Sequence, residues 1–126
     1  MLARCSGAAL VGLEAVEVAV EVDIAPGLPG LQIVGLADAA VQESRERVRA
    51  ALRNSGLRPP LTRVVVSLAP ADLRKQGPAF DLPIALAVLA ASGQLNPSLL
   101  QGIWCAGELG LGGALRPVRG ALSLAL

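Results

Sequence analysis

The stretch "AVEVAVEVDI", residues Ala15–Ile24, alternates regularly between two kinds of side chain. Apolar residues recur at every second position along it, which is the pattern of a β-strand with one buried face and one face in solvent. The buried face is built from branched aliphatic side chains: Val16, Val18, Val20, Val22 and Ile24. The opposite face carries Glu17, Glu21 and Asp23. The stretch therefore predicts a sheet with one apolar side and one acidic side.

The segments on either side extend this sheet and add helices. Turn-forming residues separate the apolar runs, and Asp38 and Asp81 are placed to cap helices. The predicted strands are 2–11, 15–24, 31–36, 63–69, 103–109 and 114–118, and the predicted helices run from 38 to about 55, from about 82 to 92, and from 119 onward. The order β-β-β-α-β-α-β-β-α indicates an α+β fold, a mixed β-sheet with packed helices. Because the last helix is unfinished, we expect the chain to be a fragment of a longer protein.

Composition narrows the chemistry that this segment can perform. The chain has 126 residues, enough for one domain, and is 53% hydrophobic but only 2% aromatic, so its core must be aliphatic. It contains no His, and Cys5 and Cys105 belong to no metal-spaced cluster, which excludes zinc and imidazole chemistry. The two cysteines are typical of small core residues in a reducing compartment. With no predicted signal peptide or membrane span, we expect a cytoplasmic protein without a membrane partner.

Charge is unevenly distributed along the chain although the net charge is only +1. Before Ser44 there are six acids and a single base, Arg4. From Arg45 to Lys75 there are two acids and eight bases: Arg45, Arg47, Arg49, Arg53, Arg58, Arg63, Arg74 and Lys75. Such a distribution is consistent with a dipolar domain that orients a partner or a second copy of itself, and equally with two solvated faces.

The stretch "RKQGPAFDLPIAL", residues Arg74–Leu86, comprises a loop and the start of a helix. It resembles a catalytic loop but lacks the side chains needed for catalysis. A Ser-His-Asp triad is excluded because the chain has no His. The only Lys, Lys75, lies in a loop that we expect to be exposed, where its ammonium stays protonated. The glycine clusters include no Gly-Lys step, so they form no P-loop. We expect no catalytic site, metal or cofactor in this segment.

Three stretches carry a resemblance to one family. "GLPGLQIVGLADAAVQESRERVRAALRNSG" (27–56), "LAPADLRKQGPAFDLPIALAVLAASGQL" (68–95) and "GELGLGGALRPVRGAL" (107–122) resemble the N-terminal domain of the ComM/YifB group of magnesium-chelatase-like AAA+ ATPases. The resemblance covers nearly the whole chain, so the domain is expected to comprise residues 1–126, with an AAA+ module after residue 126.

The resemblance implies a Lon-protease-domain-like, ribosomal-protein-like β-α-β fold that has lost its peptidase site. "KQGPAFDLPIAL" keeps the Lys-x-Gly-Pro lead-in of the Lon loop, and the serine position becomes Ala79 or Asp81. The lysine position falls on Leu122. Nucleophile and general base are then both missing, so the segment is expected not to be an enzyme, and Asp81 to cap a helix.

The resemblance also implies a function for the full-length protein. In the family, an ATP- and Mg-dependent module forms a hexameric ring that drives DNA branch migration during natural transformation. This segment is expected to guide DNA or to contact its own AAA+ module and neighbouring subunits, through residues that include Arg45, Arg49, Arg53, Arg74 and Lys75. Replacing Arg74 and Lys75 is expected to leave the fold intact. The alternatives are an oligomerisation module of an ATPase with another function and, less favoured, a Ser-Lys peptidase.

Overall fold

A computed structural model describes residues 1–116. Six strands and three α-helices follow one another: β1 (Leu2–Val11), β2 (Glu14–Ala25), β3 (Gly30–Val34), α1 (Ala39–Gln42), α2 (Ser44–Asn54), β4 (Arg63–Ala69), α3 (Asp81–Ala91), β5 (Glu108–Leu109) and β6 (Leu115–Arg116). Two short 3-10 helices, Pro78–Phe80 and Pro97–Leu100, flank α3. The α+β class predicted from the sequence is confirmed.

The first four strands form one mixed sheet in the order β1-β2-β4-β3. β1 and β2 form a long antiparallel hairpin, β2 pairs antiparallel with β4, and β3 pairs parallel with β4. β5 and β6 form a separate two-stranded hairpin. A parallel pair needs a crossover connection, and α1 and α2 lie on the connection between β3 and β4.

The core lies between one side of the sheet and helices α2 and α3. Val18, Val20 and Val22 are fully buried, as the alternating pattern of β2 predicted. α3 is apolar around nearly its whole circumference because it contacts β1 and β2 on one side and α2 on another. On the other side of the sheet Glu17 and Asp23 are exposed.

Three predicted boundaries differ from those of the structure. The helix from Asp38 to about Ser55 is divided at Glu43, because the N–H of Glu46 bonds to the Glu43 carbonyl only three residues back, at 3.1 Å, which tightens the helix there. β3 ends at Val34 because Gly35 and Leu36 both adopt positive φ. Of the predicted strand 103–109, only the last two residues form β5, although Trp104 makes a single parallel bridge to Ser6 of β1.

The end of the chain was only partly tested. β6 covers Leu115–Arg116, within the predicted strand 114–118. The predicted helix from 119 lies outside the described residues. The predicted element order differs from that of the structure because the single helix predicted at 38–55 is two helices, α1 and α2. Within residues 1–116, no helix combines the length and the apolar character needed to cross a bilayer.

Candidate functional site

The loop between β4 and α3, residues 70–80, is held against the connection between β3 and α1. The Lys75 N–H donates to the Leu36 carbonyl at 2.9 Å, and the Asp38 N–H donates to the Lys75 carbonyl at 3.0 Å. The Asp38 side chain accepts a bond from Gly77 N–H at 3.3 Å and caps α1 through Val41 N–H at 2.8 Å. These backbone pairings draw the middle of the loop into the protein.

Lys75 is therefore buried, and the expectation of an exposed ammonium at this position is wrong. Its side chain is 0% exposed, and its Nζ donates to the carbonyl of Pro70. Burial lowers the pKa of Lys75, and the nearby carboxylate of Asp72 opposes this effect. A side chain without solvent access reaches neither a DNA phosphate nor a neighbouring subunit. Replacing Lys75 is therefore expected to destabilise the fold, contrary to the expectation from the sequence, because its buried aliphatic stem packs in the interior.

Asp81 is likewise buried, and it does not cap α3 as the sequence suggested. It is the first residue of α3, the N-cap position is Phe80, and no side chain caps this helix. The 3-10 helix before Asp81 supplies the reason, because the Pro78 carbonyl accepts the Asp81 N–H. The next N–H, that of Leu82, is satisfied by the carbonyl of Gly107 at 3.1 Å. The Asp81 carboxylate is therefore free to bind other elements.

That carboxylate joins α2, α3 and β5. Ser44 Oγ donates to Asp81 Oδ1, and the Arg47 guanidinium donates to both carboxylate oxygens, from Nε at 2.6 Å and from Nη2 at 3.1 Å. The fourth donor is Leu109 N–H at 3.0 Å. Arg47 Nη2 also donates to the Ala40 carbonyl at 2.7 Å, so the network extends to α1. The carboxylate hydrogen bond raises the pKa of Arg47, which stays protonated.

The network stabilises the packing of elements but offers no site for a reaction. Asp81 and Ser44 are both 0% exposed, so no substrate reaches the hydroxyl. Ser44 donates its proton to a carboxylate already engaged by a guanidinium, which is a poor general base. Every buried side-chain nitrogen and oxygen atom in residues 1–116 has a hydrogen-bond partner. Sequence reasoning missed Ser44 and Arg47, because their partner lies 37 and 34 residues away in the chain.

The other predicted peptidase positions add nothing to this picture. Ala79 lies in the 3-10 helix before α3 and is half-buried, and its carbonyl accepts the Gly107 N–H at 2.9 Å. Leu122 lies outside the described residues. No group of three or more metal-ligating side chains occurs within residues 1–116.

The remaining predicted contact residues lie at the surface on two different elements. Arg45 and Arg53 are exposed on α2, Arg49 on the same helix is half-buried, and Arg74 is exposed in the loop. Among the described residues none of these four forms an ion pair with a carboxylate. Arg47, also on α2, turns inward and forms its ion pair with Asp81.

A cleft of about 530 Å³ lies at the acidic side of the sheet. Its walls come from β1, from β2 and from residues 97–102, and its polar lining consists of Arg4, Ser6, Glu17, Glu21 and Gln101. Ser6 Oγ donates to Glu17 Oε2 at 2.6 Å. The sequence did not predict this cleft, because it depends on where the segment after α3 crosses β1.

Together these features define a class: a small α+β domain in which a buried carboxylate network joins the helices to the β5–β6 hairpin. Residues 20–126 match the family described as subunit ChlI of Mg-chelatase, and the chain belongs to this family. More narrowly, it is the N-terminal ChlI-like domain of the YifB/ComM group of Mg-chelatase-like proteins.

The curated relatives are similar over almost the whole chain. The chain is 51% identical over 117 residues to the uncharacterized protein YifB of Escherichia coli, covering 93% of this chain and 23% of that protein. It is 46% identical over 125 residues to an uncharacterized protein of Mycobacterium tuberculosis, covering 99% of this chain and 25% of that protein. It is 46% identical over 114 residues to the competence protein ComM of Haemophilus influenzae, covering 90% of this chain and 22% of ComM. The chain thus spans about a quarter of the length of these relatives.

Proposed function

We propose that this chain is a non-catalytic domain of a ComM-like ATPase that acts in DNA branch migration during natural transformation. The observation that carries the non-catalytic part is the Asp81 carboxylate, which is buried and accepts four hydrogen bonds. The resemblance to the Lon loop places the nucleophile position at Ala79 or Asp81, and neither can act as a nucleophile in this environment. The link to competence rests on the similarity to ComM.

The role of the domain in that machine is subunit assembly or DNA guidance, and the charges favour assembly. Glu17 and Asp23 lie exposed on one side of the sheet, while Arg45 and Arg53 lie exposed on α2, which packs at the other side. Opposite charges on opposite sides of one domain suit a head-to-tail contact between neighbouring copies in a ring. Lys75 contributes nothing to either role, because it is buried.

The activity of the full-length protein belongs to the part outside this chain. We propose that an AAA+ module binds ATP and Mg there and assembles as a hexamer, and that this domain is Lon-protease-like in topology. If the protein hydrolyses ATP but does not migrate DNA branches, the same domain is an oligomerisation module of an ATPase with another function.

Charge reversal in the full-length protein tests the assembly role. Glu17→Lys with Asp23→Lys, or Arg45→Glu with Arg53→Glu, should each reduce the hexamer fraction measured by sedimentation velocity with ATP and Mg. Combining all four substitutions should restore it, because the attraction is rebuilt with reversed signs. Arg58→Glu with Arg63→Glu, two exposed bases outside α2, is the matched control and should leave assembly unchanged.

Branch migration of a three-stranded DNA joint is measured on the same variants. The proposed role is supported if assembly and branch migration are both lost in the two reversed variants and both restored in the combined variant. A hexamer fraction unchanged in both reversed variants contradicts the assembly role. If only the α2 variant then loses DNA-stimulated ATP hydrolysis, the domain guides DNA instead.

A further inference from the structure

Cys5 and Cys105 are a hundred residues apart in the sequence but adjacent in the structure. Their Sγ atoms lie 3.6 Å apart, and both thiols are free. Cys5 is buried in β1, and Cys105 is half-buried in the segment 103–106 that runs beside β1. The sequence suggested only two unrelated core residues.

Backbone hydrogen bonds hold the two cysteines together. The Cys105 N–H donates to the Ser6 carbonyl at 2.9 Å, and Trp104 makes a parallel bridge to Ser6. Two residues further along, Gly107 forms two backbone hydrogen bonds. Its N–H donates to the Ala79 carbonyl, and its carbonyl accepts the Leu82 N–H. The path of the chain therefore places the backbones of the two cysteines side by side.

We propose that Cys5 and Cys105 form an oxidisable dithiol that a hydroperoxide converts to an intramolecular disulfide. In the first step a thiolate attacks one peroxide oxygen, the O–O bond breaks, and a sulfenic acid and hydroxide result. In the second step the other thiol attacks the sulfenic sulfur, an S–S bond forms, and hydroxide leaves, taking up a proton as water. Two thiols and one hydrogen peroxide thus give one disulfide and two waters, with the peroxide as the two-electron oxidant.

The environment of the sulfurs supports this order. The hydrogen bond between the two sulfurs lowers the pKa of Cys5, while the same contact and burial raise the pKa of Cys105. Cys5 is therefore the thiol that ionises and attacks first. Cys5 is only 1% exposed, but it forms part of the wall of the cleft of about 530 Å³, which is large enough to hold a small peroxide beside it.

A disulfide at this position would fasten the segment 103–106 covalently to β1. The sulfurs need to approach by about 1.6 Å to reach the S–S distance of a disulfide, about 2.05 Å. Apart from the bridge of Trp104 to Ser6, residues 101–107 lie outside the strands and helices, so the approach of the sulfurs requires only a local adjustment. The disulfide would then constrain the path that leads into the β5–β6 hairpin.

The test is a peptide map of the full-length protein. The protein is first reduced, then treated with increasing concentrations of hydrogen peroxide, and its remaining thiols are blocked with an alkylating reagent. We expect a linked peptide pair containing Cys5 and Cys105, lighter than the sum of the reduced peptides by two hydrogen atoms and reversed by dithiothreitol. Three outcomes would overturn the proposal. Both cysteines could remain alkylatable, each could form a disulfide with another molecule, or each could be oxidised to the sulfinic acid without forming the link.

Two variants separate the steps. Cys105→Ser should accumulate the sulfenic acid of Cys5, trapped by a cyclic 1,3-dione, because the second thiol is missing. Cys5→Ser should react with the dione several-fold less at the same peroxide concentration, because the thiol with the lowered pKa is gone. Equal trapping in both variants contradicts the assignment of Cys5 as the attacking thiol. The peptide map of the unsubstituted protein decides the disulfide itself, whether or not the variants fold.

Discussion

At the scale of single residues, the carboxylate of Asp81 is held by donors from two other elements. Ser44 and Arg47 come from α2 and the Leu109 N–H comes from β5. An aspartate that is 0% exposed would be costly to bury without them, because a buried charge must be paired and hydrogen-bonded. Its position before an apolar helix could be seen in the sequence, but its partners could not, since they depend on how α2 packs against α3.

Asp81→Ala should destabilise the domain by about 3 kcal/mol. We take the lower end of the range for broken buried pairs, because the Arg47 side chain remains 19% exposed and can be solvated in part. The control is Asp38→Ala, which removes the cap of α1 and the hydrogen bond from Gly77 N–H and should cost about 1–2 kcal/mol. Urea unfolding followed by circular dichroism measures both. Equal losses would mean that the Asp81 network contributes no more than an ordinary helix cap.

Lys75 should give the domain a stability that rises with pH in the alkaline range. Burial lowers its pKa below the model-peptide value of 10.5, so between the folded pKa and 10.5 the unfolded state binds more protons than the folded state. The free energy of unfolding then increases with pH in this window and is independent of Lys75 titration above and below it. Lys75→Met should abolish this increase while filling the same space.

Few other side chains titrate in the pH range of Lys75, because the chain has no Tyr, no His and no second Lys. The cysteines also titrate at alkaline pH, so the quantity to measure is the difference in unfolding free energy between the original chain and the variant. Arg74→Met, at the exposed neighbouring position, is the control and should keep the pH-dependent increase. A Lys75→Met variant with the same pH dependence as the original chain would contradict this account.

At the scale of elements, the two central strands of the sheet were predicted almost to the residue. The strand predicted at 15–24 is β2, Glu14–Ala25, and the strand predicted at 63–69 is β4. Both are central in the sheet, so their apolar patterns are set by burial. The strands of the β5–β6 hairpin are two residues long and carry no periodic signal. Their position depends on long-range contacts, such as that of Leu109 with Asp81, which the sequence does not reveal.

Gly35 marks the end of β3, and a larger residue there should disrupt the pairing with β4. Its φ is +112°, and an added Cβ would lie 2.2 Å from the Leu68 carbonyl oxygen, a backbone atom that cannot swing away. Gly12 is the matched control, since its φ is +63° but a Cβ would meet nothing within 4 Å. Gly12→Ala should cost only the strain of a left-handed alanine, about 1–2 kcal/mol. Gly35→Ala should cost clearly more in urea unfolding, and equal costs would show that β4 accommodates the clash.

At the scale of the whole molecule, the charge asymmetry read from the sequence survives only in part. Of the eight bases between residues 45 and 75, Arg47 is engaged by Asp81 and Lys75 is buried. The sequence could not reveal this, because a charged residue in a loop or on a helix is usually solvated. The remaining bases are divided among α2, the loops and the start of β4, and among the described residues only Arg45, Arg49 and Arg53 share one element.

The isolated chain of 126 residues should therefore bind DNA weakly at physiological salt. If three or four arginines contact phosphates, counterion release gives a Kd of about 10⁻⁴ to 10⁻⁶ M or weaker, without sequence preference. The single Trp and single Phe supply no platform for stacking bases, and Phe80 is buried. In a ring the same arginines would recur around the assembly, and avidity would strengthen the contact. Fluorescence anisotropy with labelled single- and double-stranded DNA measures the affinity. A sub-micromolar Kd for the isolated chain would show that its surface binds DNA without assembly, and Arg74→Ala with Arg45→Ala would then identify the surface responsible.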